Sequence, residues 1–314
     1  MLTFNSQHNF TDGIEEKEKR HFPVRMCKLC GSEKKKVRYS LEGYDVVECV
    51  GCGVVFLDVH KLFDVSSLYS SDYYLERREY YLKNSIVDPI CGFENPNIVD
   101  FREGLKLVKS FKNIGRLLDV GCGVGIFLSM AKEKGWEVFG VDVSDYATNF
   151  AMKKFGLNCF TGKLKDANFP DKYFDVITLW DAVEHFENPL EELGEIKRIL
   201  TDDGIILFDT PNVESLMRLI AHWTYWATAG LFKYPVRKLY HQFHLYYFSP
   251  KTLRMLLEKA GFEVIEMRKK TIPIIKARGN RLEKLIVRGL SKLEKATSRE
   301  YELFVIARKA SKVC

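Results

Sequence analysis

The sequence predicts an α/β protein whose mainly parallel sheet is covered by helices on both faces. From Ile114 onward, short apolar runs alternate with helical patterns, and the 314-residue chain is 46% hydrophobic, as globular proteins usually are. Prolines and glycines also stand where helices should begin and end. The predicted starts are Asn188-Pro189 and Ser249-Pro250, and the predicted stops are Gly135, Gly156 and Gly261.

The charge of the chain is unevenly distributed. Its net charge is +6, but residues 268–299 hold eleven Lys/Arg and two Glu, hence +9, and the remainder sums to −3. Such a segment is typical of a solvated helix face, with an anionic partner such as RNA or a membrane surface as the alternative. No apolar run reaches the roughly 18 uncharged residues of a membrane-spanning helix, and no basic-then-apolar leader opens the chain. We therefore expect a cytoplasmic protein.

Four of the eight cysteines predict a zinc ribbon. Cys27 and Cys30 form one CxxC pair, Cys49 and Cys52 form a second pair after eighteen intervening residues, and a glycine follows each pair. Two thiolates three positions apart in a tight turn hold one side of a tetrahedral ion, and two such turns close a site with no position for water. We expect structural Zn²⁺ there, with a disulfide or redox pair as the alternative.

Composition divides the chain into four parts. These are a flexible N-terminus (1–21), a zinc-ribbon-like module (22–62), a tyrosine-rich helical arm (63–103) and an α/β domain (104–314) with insertions at 212–248 and 279–297. Packing is the ordinary role of a tyrosine face at helical spacing. Its alternative is a wall of the substrate pocket, for which Tyr73 and Tyr74 are the candidates.

The stretch Leu117–Phe127, LLDVGCGVGIF, predicts a close approach of backbone to ligand, because three alternating glycines follow a strand that ends in an acid. A dinucleotide fingerprint would need its third glycine at Ile126. The carboxylate of Asp119 would repel a pyrophosphate and attract a cation. S-adenosylmethionine carries a sulfonium and an ammonium, and Asp142, 21 residues after Gly121, stands where an acid can bridge both ribose hydroxyls. We therefore expect this cofactor.

These motifs resemble those of class I S-adenosylmethionine-dependent methyltransferases, over roughly Gly104 to Lys309. The matching segments are LLDVGCGVG, VFGVDVS, FPDKYFDVITLWDAVEHFENP and LTDDGIILFDTPN. The cysteine pairs and the segment HLYYFSPKTLRMLLEKAGFEVIEM are similar to a bacterial and archaeal subgroup with a zinc-binding N-terminus. The resemblance implies a Rossmann-like sheet of seven strands in the order 3-2-1-4-5-7-6, with the last strand antiparallel.

The resemblance also implies how the cofactor is held. The residues that would frame its methionine part are Asp119, Gly121, Cys122, Gly123 and Gly125. Asp142 and Val143 would hold the ribose and the adenine. Lys163 stands where many relatives place an acid or amide for the adenine amino group, so backbone groups near Leu164 or the side chain of Asp166 would take that role.

Asp181, Glu184 and His185 are the candidate catalytic residues, because they follow the fourth strand, at the sheet edge where ligands collect. His185 is the candidate general base, since a hydroxyl acceptor must lose its proton during in-line methyl transfer. The similar ubiquinone-pathway O-methyltransferases can hold a divalent cation with an acid-x-x-acid-His pattern, which these three residues reproduce. A structural role for Glu184 and His185 in bracing the loop stays open.

The aromatic insertion supplies candidates for the acceptor side. We expect Trp223 and its aromatic neighbours to form a lid over the acceptor pocket, and His244 to lie on the substrate side, with packing as its alternative. A pocket closed by such residues excludes water and suits an acceptor with an apolar or ring-like face.

The leading functional hypothesis is a small-molecule or sugar methyltransferase, O-directed rather than N- or C-directed. A second is an RNA methyltransferase that uses the zinc ribbon and the basic segment, although the base-methylating string NPPY is absent and DTPN is the nearest string. A third is a catalytically inactive interaction protein with the same fold. In a fourth, Trp223–Phe232 and the basic helix make peripheral contact with a membrane to reach a lipid-linked acceptor.

Overall fold

The computed structural model describes residues 19–22, 25–64, 96–271 and 281–311. Most of the segment predicted to be flexible lies outside the described residues, as do Tyr73 and Tyr74 of the tyrosine-rich arm. No helix in the described ranges is long and apolar enough to cross a membrane. The described residues form two compact units. One holds the described residues 19–21, 62–64, 96–180 and 198–204, and the other holds the described residues 22, 25–61, 181–197, 205–271 and 281–311.

Twelve strands and eight α-helices lie within the described residues. The strands are β1 (Lys19–Phe22), β2 (Lys35–Leu41), β3 (Tyr44–Cys49), β4 (Val55–Asp64), β5 (Arg116–Val120), β6 (Glu137–Asp142), β7 (Asn158–Thr161), β8 (Phe174–Leu179), β9 (Leu200–Pro211), β10 (Tyr246–Tyr247), β11 (Phe262–Lys270) and β12 (Glu302–Lys309). The helices are α1 (Pro96–Phe111), α2 (Ile126–Glu133), α3 (Asp145–Phe155), α4 (Pro189–Ile199), α5 (Leu216–Ala227), α6 (Tyr234–Leu239), α7 (Pro250–Lys259) and α8 (Arg281–Thr297).

The larger sheet follows the order that the resemblance implied. Its seven strands lie in the order β11-β12-β9-β8-β5-β6-β7, which reads 3-2-1-4-5-7-6 from the other edge when the strands are counted along the chain. β5 pairs in parallel with β6 and β8, and β6 with β7, whereas β12 runs antiparallel to β9 and β11. The predicted α/β class and the antiparallel last strand are therefore confirmed.

The sequence determines the ends of the elements beside the loops that follow β5 and β6, through a buried apolar strand and a capped helix. The apolar sequence of β5 is enclosed, with Leu117 and Leu118 fully buried. Helix α3 is capped by Ser144, whose Oγ accepts a hydrogen bond from the Ala147 N–H. It ends at Gly156, at a φ of 60° that favours glycine. The two loops that carry most of the predicted cofactor residues thus begin from rigid elements.

The smaller sheet joins the N-terminal residues to the aromatic insertion. It has the order β1-β4-β3-β2, and β10 pairs antiparallel with β4, with Tyr246 opposite Phe56 and Tyr247 opposite Val55. The Tyr44 hydroxyl donates to the carbonyl of Tyr240 at 2.7 Å. The predicted module 22–62 therefore shares its sheet and its hydrogen bonds with a segment nearly 200 residues later, while its boundaries stay a prediction.

Arg218 on α5 is a buried cation, 2% exposed. Its Nη1–H donates to the carbonyl of Asn212 and its Nη2–H to the carbonyl of Leu239, both at 3.1 Å. The guanidinium carbon lies 4.9–5.4 Å from the centroids of three aromatic rings, those of Tyr240, Tyr247 and Tyr301. One side chain therefore holds α5, the end of α6, β10 and the start of β12.

We expect Arg218→Met to lower the free energy of unfolding by about 2–4 kcal/mol, because two buried carbonyl groups lose charged donors. Urea denaturation followed by circular dichroism measures the change. The matched control is Arg254→Met, because Arg254 is exposed on α7 and its loss should change the free energy by no more than about 0.5 kcal/mol. Equal effects of the two substitutions would contradict the anchoring role of Arg218.

Candidate active site

Asp119 is a buried carboxyl group near the end of β5, 2% exposed. Burial raises its pKa to about 8, which the hydrogen bond from Thr178 opposes and the negative charge of Asp142 reinforces. The Thr178 Oγ1 donates this bond from the neighbouring strand β8, at 2.6 Å from Asp119 Oδ1. A cation placed against Asp119 would favour its charged form.

Asp142, the last residue of β6, organises the glycine loop. It is 6% exposed, and its Oδ2 accepts the N–H of Gly123 at 2.8 Å while its Oδ1 accepts the N–H of Ser144 at 2.9 Å. One carboxylate therefore ties the loop after β5 to the loop after β6. An acid in this position suits ribose hydroxyls, which donate hydrogen bonds to carboxylates.

The glycines of LLDVGCGVGIF all adopt left-handed conformations, with φ values of 79°, 51° and 78° at Gly121, Gly123 and Gly125. A Cβ on Gly125 would lie 2.5 Å from Leu157 Cδ1 and 2.8 Å from Ala151 Cβ. Gly125 is therefore required both by the turn and by the close packing of α3 against the loop.

The remaining predicted cofactor residues differ in exposure. Cys122 and Leu164 are buried, whereas Val143 is 51% exposed and Asp166 is exposed. Leu164 and Asp166 share a single 3₁₀ turn, Leu164–Ala167. The exposed Val143 side chain offers an apolar surface on which an adenine ring can lie.

Glu184, in the loop after β8, has no exposed surface. Its Oε2 accepts a hydrogen bond from Thr210 Oγ1 at 2.9 Å. Its Oε1 has no hydrogen-bond partner within the described residues and lies 3.8 Å from Nε2 of His244. Burial raises the pKa of Glu184 well above its usual range, and the charges of Asp181 and Asp209 raise it further.

Three histidine rings accompany Glu184. Nδ1 of His185 lies 2.6 Å from the carbonyl oxygen of Phe243; since a carbonyl only accepts, Nδ1–H is the donor, and in the neutral ring the lone pair is on Nε2. The rings of His185 and His244 meet edge-to-face, with centroids 4.7 Å apart. The ring centroids of His241 and His244 are 4.0 Å apart. Glu184, His185 and His244 each offer one ligand atom, and these atoms lie within 4.8 Å of one another. We call Glu184, His185, His241 and His244 the Glu–His cluster.

A methyltransferase-domain family matches residues 94–267, more than half of the chain. The chain belongs to this family. The predicted methyltransferase is thereby confirmed at the level of the family. Similar proteins include ubiquinone biosynthesis O-methyltransferases of Actinobacillus pleuropneumoniae, 30% identical over 107 residues, and of Saccharophagus degradans, 29% identical over 160 residues. These matches cover 31% and 48% of this chain and 46% and 65% of the two relatives, so the chain spans about half to two thirds of the relatives' length.

Solved structures share the fold of this methyltransferase. An S-adenosylmethionine-dependent methyltransferase from Archaeoglobus fulgidus has a TM-score of 0.50 at 23% identity, covering 76% of this chain and 100% of that one. A methyltransferase from Haloferax volcanii, solved in complex with the activator Trm112, has a TM-score of 0.53 at 16% identity, covering 77% and 97%. At these identities the likeness shows the fold alone.

Two residues of the predicted set, Asp181 and Trp223, contribute no ligand atom to the Glu–His cluster. Asp181 is exposed, has a φ of 48°, and donates its N–H to Asp209 Oδ1 at 2.9 Å. Trp223 is 65% exposed and meets the ring of His222 with centroids 5.9 Å apart. The structure therefore brings together Glu184, His185 and His244 of the predicted set, and places Trp223 on the outer face of α5.

Two residues that contact the Glu–His cluster were not predicted from the sequence. Thr210 donates to Glu184, but a threonine in a buried strand carries no signal of its own. Phe243 contributes only a backbone carbonyl, which any residue could supply. The usable signal was the spacing of His241 and His244 in YHQFHLYYF, where two histidines interrupt an aromatic run.

The four N-terminal cysteines of the methyltransferase converge. The sulfurs of Cys27 and Cys52 are 3.7 Å apart, those of Cys30 and Cys49 are 3.4 Å apart, and all four lie within 4.8 Å of one another. Four thiolates bound tetrahedrally at about 2.3 Å would have sulfurs about 3.8 Å apart. The sulfur positions are therefore close to those that a zinc ion requires.

We expect Asp119→Asn to flatten the pH dependence of stability between about pH 5 and pH 8. The folded-state pKa of about 8 lies above the ordinary value, so the protonated carboxyl stabilises the fold below about pH 4, and this contribution is lost as the pH rises through 8. Asparagine does not titrate. As the pH rises, the free energy of unfolding of the variant should therefore fall less steeply than that of the unaltered protein, and the two slopes should differ by up to about 1.4 kcal/mol per pH unit.

Urea denaturation at several pH values, without cofactor, measures the difference in slope. Asp166→Asn is the control, because Asp166 is exposed and its variant should follow the unaltered protein. Parallel profiles for Asp119→Asn and the unaltered protein would refute the assignment of this titration to Asp119.

Proposed function

We propose that this chain is an S-adenosylmethionine-dependent methyltransferase that O-methylates a small molecule or sugar. Family membership supports methyl transfer, and relatives named ubiquinone biosynthesis O-methyltransferase favour a hydroxyl acceptor. The observation that carries the proposal is the hydrogen bond between His185 and the Phe243 carbonyl, because it sets the tautomer that a general base needs.

The residues that we assign to the cofactor are Asp119, Asp142 and the glycine loop 121–125. Two buried carboxyl groups beside a loop without basic side chains favour a cation over a phosphate. Asp142 would accept the ribose hydroxyls and Val143 would face the adenine. Leu164, through its backbone, or Asp166 would meet the adenine amino group.

The order of segments along the chain favours His185 as the group that meets the acceptor. β5 and β8 are parallel neighbours, so the segments that follow them begin at the same edge. The glycine loop follows β5 directly, and His185 comes six residues after β8 ends at Leu179.

When bound, S-adenosylmethionine would supply its methyl group to the acceptor oxygen, with the electron pair of the broken carbon–sulfur bond remaining on sulfur. The hydroxyl proton passes to Nε2 of His185. The products are the methylated acceptor and S-adenosylhomocysteine, and His185 returns its proton to solvent before the next turnover.

Glu184 and His244 would stabilise the protonated state of His185. Because burial raises the pKa of Glu184, this acid ionises most readily when a cation is close. A proton on the His185–His244 pair supplies that cation, since His244 Nε2 lies 3.8 Å from Glu184 Oε1.

A divalent cation is the second candidate for the same cluster. The resemblance implied Asp181, Glu184 and His185 as ligands, whereas the ligand atoms that converge belong to Glu184, His185 and His244. Two imidazoles and one carboxylate suit zinc or another transition metal better than Mg²⁺, which prefers oxygen ligands. A cation held there would lower the pKa of an acceptor hydroxyl.

We also propose a structural zinc ion at Cys27, Cys30, Cys49 and Cys52. The sulfur–sulfur distances support this assignment, and four protein ligands leave no position for water. The ion would connect the turn before β2 to the turn between β3 and β4, and so stabilise the smaller sheet without taking part in the chemistry.

Two substitutions test the assignment of roles. His185→Gln should reduce turnover by about 100-fold or more while leaving the affinity for S-adenosylhomocysteine within about twofold, because it removes the base alone. Asp142→Ala should weaken that affinity, since the ribose loses its acceptor. Calorimetry with S-adenosylhomocysteine measures binding, and a product assay on screened hydroxyl acceptors measures turnover.

The outcomes separate the candidates. Turnover that survives His185→Gln on an accepted substrate would disprove the base assignment, and a lack of cofactor binding by the unaltered protein would disprove the enzyme. Activity that a chelator abolishes and a divalent cation restores would favour the metal-assisted alternative. His222→Gln is the control, because this histidine lies outside the Glu–His cluster and bonds to Tyr39.

Metal analysis tests the zinc proposal. We expect about one zinc ion per chain, and a second only if the Glu–His cluster also binds zinc. Cys30→Ser should lose the structural ion and lower the midpoint of thermal unfolding, because the smaller sheet loses its cross-link. Cys159→Ala should keep the metal, since Cys159 is a buried residue of β7. A metal-free protein with four free thiols in these positions would overturn the proposal.

A further inference from the structure

The outer face of α5 is apolar. The helix contains one charged residue, Arg218, and this residue is buried. Ile220, Trp223 and Trp226 are 43%, 65% and 63% exposed. At about 100° per residue these three positions fall within about 120° of the helix surface. Because α5 buries one face and leaves large apolar side chains on another, it departs from the usual amphipathic pattern of a surface helix.

The turn after α5 extends this surface. Leu231 is 89% exposed, Phe232 is 49% exposed and Tyr234 is 54% exposed. The Gly230 N–H donates to the carbonyl of Tyr225, so the turn folds back against the end of α5. We call Ile220, Trp223, Trp226, Leu231, Phe232 and Tyr234 the aromatic patch. A large group of exposed apolar residues on a protein surface often marks an interaction site.

The segment that contains α5 and the turn after it carries only positive formal charges. Residues 215–257 contain six Lys/Arg and no Asp or Glu. Lys233, Arg237 and Lys238 are exposed beside the aromatic patch in sequence, and Lys238 Nζ lies 5.6 Å from the ring centroid of Tyr234. The segment therefore combines aromatic side chains with uncompensated positive charge.

Helix α8 adds basic residues next to α5, which it contacts. Arg288, Lys292 and Lys295 are exposed on α8, and Leu293 is 54% exposed beside them. The acid between them, Glu294, is buried. Three cations of the basic segment recognised in the sequence, Arg288, Lys292 and Lys295, are therefore exposed on a helix that packs against the helix of the aromatic patch.

We propose that the aromatic patch docks on an anionic phospholipid surface, with the cations of α6 and α8 facing the lipid phosphates. Trp and Tyr rings settle at the level of lipid headgroups, and Lys and Arg near a membrane are attracted by anionic lipids. The absence of acids from residues 215–257 favours an anionic surface over a protein of mixed charge. This inference is independent of the proposed chemistry, because it uses none of the cofactor or Glu–His residues.

Flotation with vesicles tests the proposal. The full chain should bind vesicles of phosphatidylcholine with phosphatidylglycerol more tightly than vesicles of phosphatidylcholine alone, and added salt should weaken the difference. Trp223→Ala with Trp226→Ala should lower the partition coefficient about tenfold or more. Arg237→Gln with Lys238→Gln should lower it about fivefold per charge. Phe111→Ala is the control, because Phe111 is 40% exposed on α1 and its variant should bind unchanged.

Tryptophan fluorescence gives a second readout. The chain has four tryptophans, and binding should shift the emission to the blue in the unaltered protein but not in the double tryptophan variant. Circular dichroism verifies that each variant folds. Equal binding by the tryptophan variant and the unaltered protein would overturn the proposal. So would a lack of vesicle binding together with self-association that the same variant abolishes, which would make the patch a protein interface.

Discussion

Among the described residues, no acid makes hydrogen-bond contact with the buried guanidinium of Arg218, and this constraint shapes the second compact unit. Its charge is met by two backbone carbonyls and the faces of three tyrosines. Two of those rings, Tyr240 and Tyr247, stand at either end of the segment that carries His241, Phe243 and His244. The position of the Glu–His cluster therefore depends on a cation that takes no part in it.

In the proposed function, two buried acids with raised pKa values would meet two different kinds of positive charge. Asp119 lies beside the glycine loop, where the proposed cofactor would bring a permanent cation. Glu184 lies beside His244, where a cation exists only while an imidazole holds a proton. Burial makes both acids costly to ionise alone, so each couples its own charge to the arrival of a partner.

The sequence was most informative where the signal is local. The alternation of apolar runs predicted the α/β class, and one continuous stretch named Asp119 and the three glycines. The Glu–His cluster is different, because His185 and Phe243 are 58 positions apart and are joined through a backbone carbonyl. Trp223 shows a second limit: since α5 buries its one cation, Arg218, and exposes apolar side chains, composition alone could not show which face is buried.

Strand β10 has only two residues, yet the smaller sheet cannot be completed until the ribosome has made it. The edge of β4 at Val55 and Phe56 is completed by Tyr247 and Tyr246, which leave the ribosome about 190 residues later. At 5–20 residues per second, this interval lasts about 10 to 40 seconds. The four cysteines thus emerge long before the last strand of their sheet has been made. A metal ion bound at the proposed zinc site in this interval would cross-link the smaller sheet before β10 can join it.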